Sequence, residues 1–219
     1  MPRAKKKVEP KPPKDPSNPS VLYGRQYAKE TYDIDEMRLL LAATSGKSAT
    51  RVRNFALIYL LWRSGLRISE ALDLKPVDLD MKTRAVHVRF GKFGKERRVR
   101  SIDPHALEAC RRWLELRERH GIPRSVEVFC TIDGKGPISD TYVRAMLNRL
   151  ATKARWEKRI HPHAFRASFA ADLARRGMPM PYVQQQLGHE NLETTSVYLA
   201  AISGQEVAEA MDRIEWEEL

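Results

Sequence analysis

The sequence predicts a mainly α-helical domain that carries one small antiparallel β-sheet, an α+β arrangement. Apolar residues recur at helical spacing through most of the chain, whereas the alternation typical of strands is clearest over residues 85–102. A length of 219 residues with 42% hydrophobic residues suffices for one domain with a buried core. The longest apolar run, residues 55–62, is far shorter than the roughly 20 residues of a membrane span.

The charge balance predicts a polyanionic partner. The chain has 39 Lys and Arg against 28 Asp and Glu, a net charge of +11, and nucleic acid is the leading polyanion for such a protein. Its two cysteines, Cys110 and Cys130, are too few and too far apart for a disulfide framework or a CxxC zinc site. We expect reduced thiols in a cytoplasmic protein.

The first 20 residues differ in composition from the rest. They hold six prolines and six Lys or Arg, with too little apolar surface to offset the entropy of folding. We expect a disordered basic arm over residues 1–20 and a single domain over 21–219. Lys5, Lys6 and Lys7 are candidate contacts for DNA phosphates, and the alternative is a solvated tail.

The first part of the domain has helical patterns with clear ends. Asp33 is placed to cap a first helix, and an apolar second helix over 52–63 stops at Gly65. Another helix begins near Ser69, and Pro76 marks its end.

The middle of the chain changes period. Residues 85–90 and 97–102 alternate as two strands of a hairpin, and residues 126–130 form a candidate third strand. A helix over 104–120 begins with Pro at its first turn and has Gly beyond its end. Further helices are predicted over 139–154, 164–176, 180–187, 193–201 and 205–216.

Three motifs near the end of the chain are informative together. His163 and Arg166 are three residues apart, which places them on one face of a helix. A Leu-Gly-His segment ending at His189 follows, and then a Thr-x-x-x-Tyr segment ending at Tyr198. In this order the motifs resemble the tyrosine recombinase (integrase) family, whose signature runs H-x-x-R, L-G-H and T-x-x-x-Y.

Two upstream segments extend the resemblance. Gly65-Leu66-Arg67 with Glu70 is similar to the family's first arginine box, and residues 91–97 are similar to its hairpin lysine segment. The resemblance implies the recombinase catalytic-domain fold. It also implies a separate core-binding domain before the first box, which we do not find in this sequence, and a final helix, 205–216, that docks on a neighbouring protomer or on its own domain.

The resemblance implies a role for each matched residue. Tyr198 is the nucleophile, Arg67 and Arg166 bind the phosphate, and Lys92 is the general acid. Lys95 is the second candidate acid or a phosphate contact. His163 assists proton transfer from the tyrosine, and His189 hydrogen-bonds the phosphate. Glu70 orients Arg67 or His163, with a local surface ion pair as the alternative, and Arg97 is a candidate DNA contact.

The chemistry accounts for these residue types. A phenol of pKa near 10 that attacks a phosphodiester creates extra negative charge on the non-bridging oxygens. Arginine suits that charge because its planar fork stays protonated and donates two parallel hydrogen bonds. No cofactor, metal or nucleotide is implied, since the phosphotyrosine link retains the energy of the broken bond.

The sequence therefore predicts a site-specific DNA recombinase or integrase that acts on duplex DNA, in the cytoplasm and without a membrane. We expect a tetramer on synapsed DNA, and a monomer or weak dimer off DNA. Two alternatives stay open: a catalytically idle DNA-binding regulator of the same fold, and a type IB topoisomerase-like nicking–closing activity.

Two other motifs do not predict a function. Gly46-Lys47-Ser48 resembles the end of a P-loop but lacks the earlier glycine and the preceding strand. His161 and His163 have no third zinc ligand at a suitable spacing.

Overall fold

Seven helices and three short strands account for the regular structure of residues 30–89 and 96–188, the part of the chain that the computed structural model describes. In chain order they are α1 (Ile34–Thr44), α2 (Ala49–Ser64), α3 (Ile68–Leu72), β1 (Leu79–Asp80), β2 (Ala85–Val88), β3 (Arg97–Val99), α4 (Pro104–Arg119), α5 (Asp140–Lys153), α6 (Pro162–Arg175) and α7 (Met180–Leu187). A single 3-10 turn (Pro76–Asp78) precedes β1. The predicted mainly α fold with one small antiparallel sheet is confirmed.

Two helix ends form where the local sequence predicts them. The Asp33 carboxylate accepts hydrogen bonds from the backbone N–H groups of Asp35 (2.9 Å) and Glu36 (2.8 Å), and the Glu36 carboxylate accepts one from Asp33 N (2.8 Å). This reciprocal pairing satisfies N–H groups that a helix start leaves free. At the other end, α2 stops at Ser64 because Gly65 adopts a left-handed φ of +65°.

Helix α2 is the central core element. It packs on α1, α4 and α6, and Leu57, Ile58 and Leu60 have no exposed surface. A helix, α1, precedes the Gly46-Lys47-Ser48 segment, where a P-loop would need a strand.

The sheet is a three-stranded antiparallel meander in the order β1-β2-β3. Val86 pairs with Val99 and His87 with Arg98, so the predicted pairing of the two hairpin strands is confirmed. Arg97 and Val99 lie on one face of β3 because side chains alternate along a strand. That face is the inner one, since Val99 is fully buried, whereas Arg98 is exposed.

The predicted third strand at residues 126–130 is wrong. The third strand of the sheet is β1, residues Leu79–Asp80, which pairs with β2. Within residues 126–130 only Cys130 makes a strand-like pairing, an isolated bridge to Pro137.

Side chains and a distant backbone carbonyl occupy the hydrogen-bonding groups of this segment. Val128 N donates to Leu74 O at 2.6 Å, and Val128 O accepts from Trp113 Nε1 at 2.7 Å. The buried guanidinium of Arg117 donates to Glu127 O at 3.0 Å. A β-ladder needs these same groups, and the chain bends at residues 126, 128 and 129, so this apolar segment is not a strand.

The cysteines are buried free thiols. Cys110 and Cys130 both have no exposed surface and form no disulfide. Burial raises the pKa of Cys110 to about 12, which keeps it protonated and unreactive. Between residues 30 and 188, the gap at 90–95 excepted, we find no helix long and apolar enough to cross a bilayer.

Candidate active site

Arg67 is presented by a tight turn between α2 and α3. Gly65 reverses the chain, and Leu66, which has no exposed surface, anchors the turn in the core. Arg67 then takes the N-cap position of α3 in an extended conformation, with ψ of 152°. Its side chain is 28% exposed, so the guanidinium lies at the edge of the protein.

Glu70 binds Arg67 from one turn further along α3. Its carboxylate accepts hydrogen bonds from Arg67 N and Arg67 Nη1, both at 2.7 Å. Arg97 of β3 donates to the same carboxylate through Nη1 at 2.7 Å and Nη2 at 2.9 Å. The Glu70 side chain is 1% exposed, so this is not a local surface ion pair, the alternative considered from the sequence.

The two guanidinium groups determine the charge state of Glu70. Burial alone would raise the pKa of this carboxyl. The hydrogen bonds and charge of Arg97, together with the hydrogen bonds from Arg67, outweigh burial and lower its pKa to about 2. Glu70 is therefore ionised at neutral pH.

This lowered pKa predicts a dependence of stability on acidity. A carboxyl whose pKa falls on folding from its ordinary value of 4.5 to about 2 stabilises the fold fully above pH 4.5. That contribution, about 3 kcal/mol, is lost as pH falls from 4.5 towards 2. We expect the free energy of unfolding, measured with urea between pH 2 and 7, to fall more steeply in the wild type than in Glu70→Gln. Parallel curves for the two proteins would contradict the pairing.

Arg97, which the sequence suggested as a DNA contact, is largely buried and binds another side chain. Its side chain is only 14% exposed, and both terminal nitrogens bind Glu70. It also packs against the backbone of Gly188, where an added Cβ would lie 2.6 Å from Arg97 Cδ. The side chain thus joins β3 to α3 and to the end of α7, and its contact with DNA remains a prediction.

Arg166 is buried behind the same turn. It is 1% exposed, and it donates from Nη1 to Gly65 O and from Nη2 to Leu187 O, each at 2.6 Å. Helix α6 begins at Pro162, two residues earlier than predicted, so His163 lies in its first turn, exposed and one turn before Arg166. Arg166 therefore joins the ends of α2 and α7 through one guanidinium.

The fold thus brings four of the predicted residues together near Gly65: Arg67, Glu70 and Arg97 form one network, and Arg166 binds the Gly65 carbonyl beside it. His163 lies in the first turn of α6, and its role remains a prediction. Seven further predicted residues lie outside the described ranges, and their roles also remain predictions: Lys5, Lys6, Lys7, Lys92, Lys95, His189 and Tyr198. Sequence reasoning missed the pairing of Arg97 with Glu70. The signal was the alternation of β3, which turns Arg97 inward with Val99, where an arginine needs a carboxylate.

A cleft beside the network was also missed. It has a volume of about 750 Å³ and is lined by residues of β3, α6 and α7 together with the loop after β3. Arg98 and Arg100 contribute positive charge, and Met178 (39% exposed) and Tyr182 (62% exposed) contribute apolar surface. Within the described ranges we find no group of three or more side chains that could hold a metal ion.

Comparisons with known proteins bear on this site. The sequence profile of the Phage integrase family matches residues 30–203. Tyrosine recombinase XerC of Halalkalibacterium halodurans is 38% identical over 170 residues, which are 75% of this chain and 55% of that protein. The chain spans about half the length of the curated relatives it matches.

Solved structures share the fold. A crystal structure of XerA recombinase matches with a TM-score of 0.71 at 25% identity, covering 87% of this chain and 67% of that one. A crystal structure of XerH site-specific recombinase bound to palindromic difH substrate, a post-cleavage complex, matches with a TM-score of 0.70 at 25% identity. That match covers 85% of this chain and 54% of the other.

Proposed function

We propose that this chain, which belongs to the phage integrase family, breaks and rejoins duplex DNA at a specific site through a covalent 3′-phosphotyrosine link at Tyr198. The family resemblance seen in the motifs is confirmed. One observation carries the proposal: Arg166 binds the carbonyl of Gly65, 101 positions away, and thereby joins the second arginine motif to the first. The palindromic difH substrate bound to XerH site-specific recombinase supports a substrate of this kind.

The reaction exchanges one phosphodiester for another. Tyr198 Oη attacks the scissile phosphorus, the bond from phosphorus to the 5′ oxygen breaks, and that oxygen leaves as a hydroxyl. The phenol loses its proton and the leaving oxygen gains one, so no oxidation or hydrolysis occurs. A 5′-hydroxyl of a partner strand reverses the attack and releases Tyr198. No nucleotide is needed, because the covalent link retains the bond energy.

Two arginines balance the charge that the attack creates. Arg67, part-exposed at the start of α3, contacts the non-bridging oxygens of the phosphate. The charge of Arg166 lies behind the same turn, where two carbonyls hold it rigidly. Rigid donors of this kind stabilise a transition state without reorganising, which is why they have large effects.

Proton transfers fall to side chains around these arginines. His163, exposed in the first turn of α6, assists removal of the phenolic proton from Tyr198. Lys92 protonates the leaving oxygen, with Lys95 as the second candidate, and His189 hydrogen-bonds the phosphate. These assignments follow the family motifs residue by residue.

The protein also assembles with itself on DNA in this proposal. Residues 205–219 hold six carboxylates and one arginine, along with Val207, Met211 and Trp216. A segment of that composition complements the cleft with Arg98, Arg100 and Tyr182 on a neighbouring protomer. We expect a tetramer on two synapsed duplexes, in the cytoplasm, where two free thiols stay reduced.

Covalent capture tests the proposal. The full chain is incubated with sheared genomic DNA of the organism that encodes it and then denatured, and protein-linked DNA is sequenced. We expect the wild type to enrich one sequence attached through its 3′ end to Tyr198, and Tyr198→Phe to yield no adduct. The mass of the DNA-bound assembly, formed on a duplex with the recovered sequence, tests the tetramer.

Two outcomes would favour the alternatives. Binding of DNA by both proteins without any adduct would favour the regulator. Relaxation of supercoiled DNA, with adducts that show no preference for one sequence, would favour the topoisomerase-like activity.

A further inference from the structure

We propose that Arg97 is a positioning residue that keeps the charge of Arg67 available to the DNA phosphate by neutralising Glu70. This inference rests on the proposed function and assigns Arg97 a task other than DNA contact. The observation behind it is a carboxylate shared by two guanidinium groups, of which only one is at the protein edge.

The two arginines bind Glu70 unequally. Arg97 uses both terminal nitrogens, one on each carboxylate oxygen, which is the strongest geometry for this pair. Arg67 uses one terminal nitrogen and its backbone N–H. Among the described residues, Nε and Nη2 of Arg67 make no hydrogen bond, and in this proposal they donate to a phosphate oxygen.

The charge count explains why Arg97 is needed. One carboxylate with two guanidinium groups leaves a net charge of +1 for the substrate. Without Arg97, the buried carboxylate of Glu70 would have Arg67 as its partner in this network, and burial makes an uncompensated charge expensive. Arg67 would then also donate from its second terminal nitrogen, Nη2, to Glu70. The pair would present no net charge to DNA.

Arg97 is itself held from two sides. Its stem packs on Gly188 at the end of α7, and its backbone belongs to β3. Beyond β3, the side-chain amide of Gln186 binds both Arg100 O, at 2.6 Å, and Arg100 N, at 3.3 Å. These hydrogen bonds join the end of β3 to α7 and so hold Arg97 in place beside Glu70.

The test compares Arg97→Gln with Arg97→Lys in the full chain. Both shorten the side chain and lose the bidentate fork, but only lysine keeps the charge. The rate of adduct formation is measured on a nicked duplex with the recovered sequence. We expect Arg97→Gln to be slowed about 10- to 100-fold, less than the 10²–10³ typical of removing a direct donor. We expect Arg97→Lys to stay within about 5-fold of the wild type. Equal loss in both variants, or no loss in either, would overturn the inference.

The rate on a neutral substrate distinguishes an electrostatic role of Arg97 from a purely structural one. In a methylphosphonate, one non-bridging oxygen of the scissile group is replaced by methyl, so less cationic compensation is needed. We expect the Arg97→Gln defect to shrink to about 3-fold or less on this substrate. An undiminished defect would overturn the inference.

A double variant tests the link through Glu70. In Glu70→Gln/Arg97→Gln no carboxylate remains to capture Arg67, so we expect faster adduct formation than in Arg97→Gln alone. A slower double variant would overturn the inference. Arg111→Ala is the control, because Arg111 also bridges two carboxylates, Glu108 and Glu115, on the outer surface of α4.

DNA affinity separates this role from a phosphate contact. We expect Arg97→Gln to keep the wild-type affinity and salt dependence of DNA binding. A salt slope reduced by about one phosphate contact would overturn the inference in favour of direct contact. Absence of any adduct with the wild type would instead overturn the proposed function.

Discussion

Arg166→Ala should lower the free energy of unfolding by about 3–5 kcal/mol. The guanidinium of Arg166 satisfies the carbonyls of Gly65 and Leu187, and alanine would leave two buried acceptors without these charged donors. The same change removes the positive charge behind Arg67. We therefore also expect adduct formation to fall about 10²- to 10³-fold.

Urea unfolding and single-turnover adduct formation measure the two effects separately. Arg166→Lys is the informative companion, because an ammonium keeps the charge but lacks the fork that reaches both carbonyls. We expect it to recover part of the stability. Arg111→Ala, in exposed ion pairs on α4, should leave the free energy of unfolding close to that of the wild type, because solvent screens such pairs. A loss below about 1 kcal/mol in Arg166→Ala would contradict the bridging role.

Gly65→Ala should destabilise the protein by about 2–5 kcal/mol, from two causes. A left-handed φ, here +65°, strains any residue with a Cβ by about 1–2 kcal/mol. The added Cβ would also lie 2.4 Å from Phe169 Cδ1 and 2.7 Å from Leu187 Cδ2, an overlap whose relief costs about 1–3 kcal/mol. Movement of the turn would shift the carbonyl that Arg166 binds and the start of α3, so we expect adduct formation to fall as well.

Gly121→Ala is the matched control for this change. Gly121 has a similar φ of +70°, but an added Cβ there meets nothing within 4 Å. Its loss of stability therefore measures backbone strain alone. We expect Gly65→Ala to exceed it in urea unfolding by the cost of the overlap, and equal losses would refute the close packing of the turn against α6 and α7.

Local signals predicted much of the fold. The Asp33 cap and the Gly65 stop are formed by groups within about four residues of each other, so a short stretch of sequence contains both partners. The pairing of β2 with β3 followed from strand alternation on both sides of a short glycine-containing loop. The order of the motifs indicated the family. That Arg67, Glu70 and Arg166 act at one site remains a prediction, although Arg67 binds Glu70 and Arg166 binds the nearby Gly65 carbonyl.

Long-range partners account for what could not be predicted. Residues 126–130 have the composition of a strand, but Trp113, Arg117 and Leu74 take their backbone groups. The apolar pattern of a segment indicates that the segment is buried, but it does not indicate which hydrogen-bond donors and acceptors surround it.

Most of the helices, the pairing of β2 with β3, the family and the candidate site residues could be predicted from the sequence, because they depend on near neighbours and on recurring motifs. The pairing of charges could not, because it depends on three-dimensional contacts. Arg97 is 27 residues from Glu70, and Gly188 is more distant still along the chain. Their meeting depends on how β3, α3 and α7 pack together, and packing is a property of the whole core.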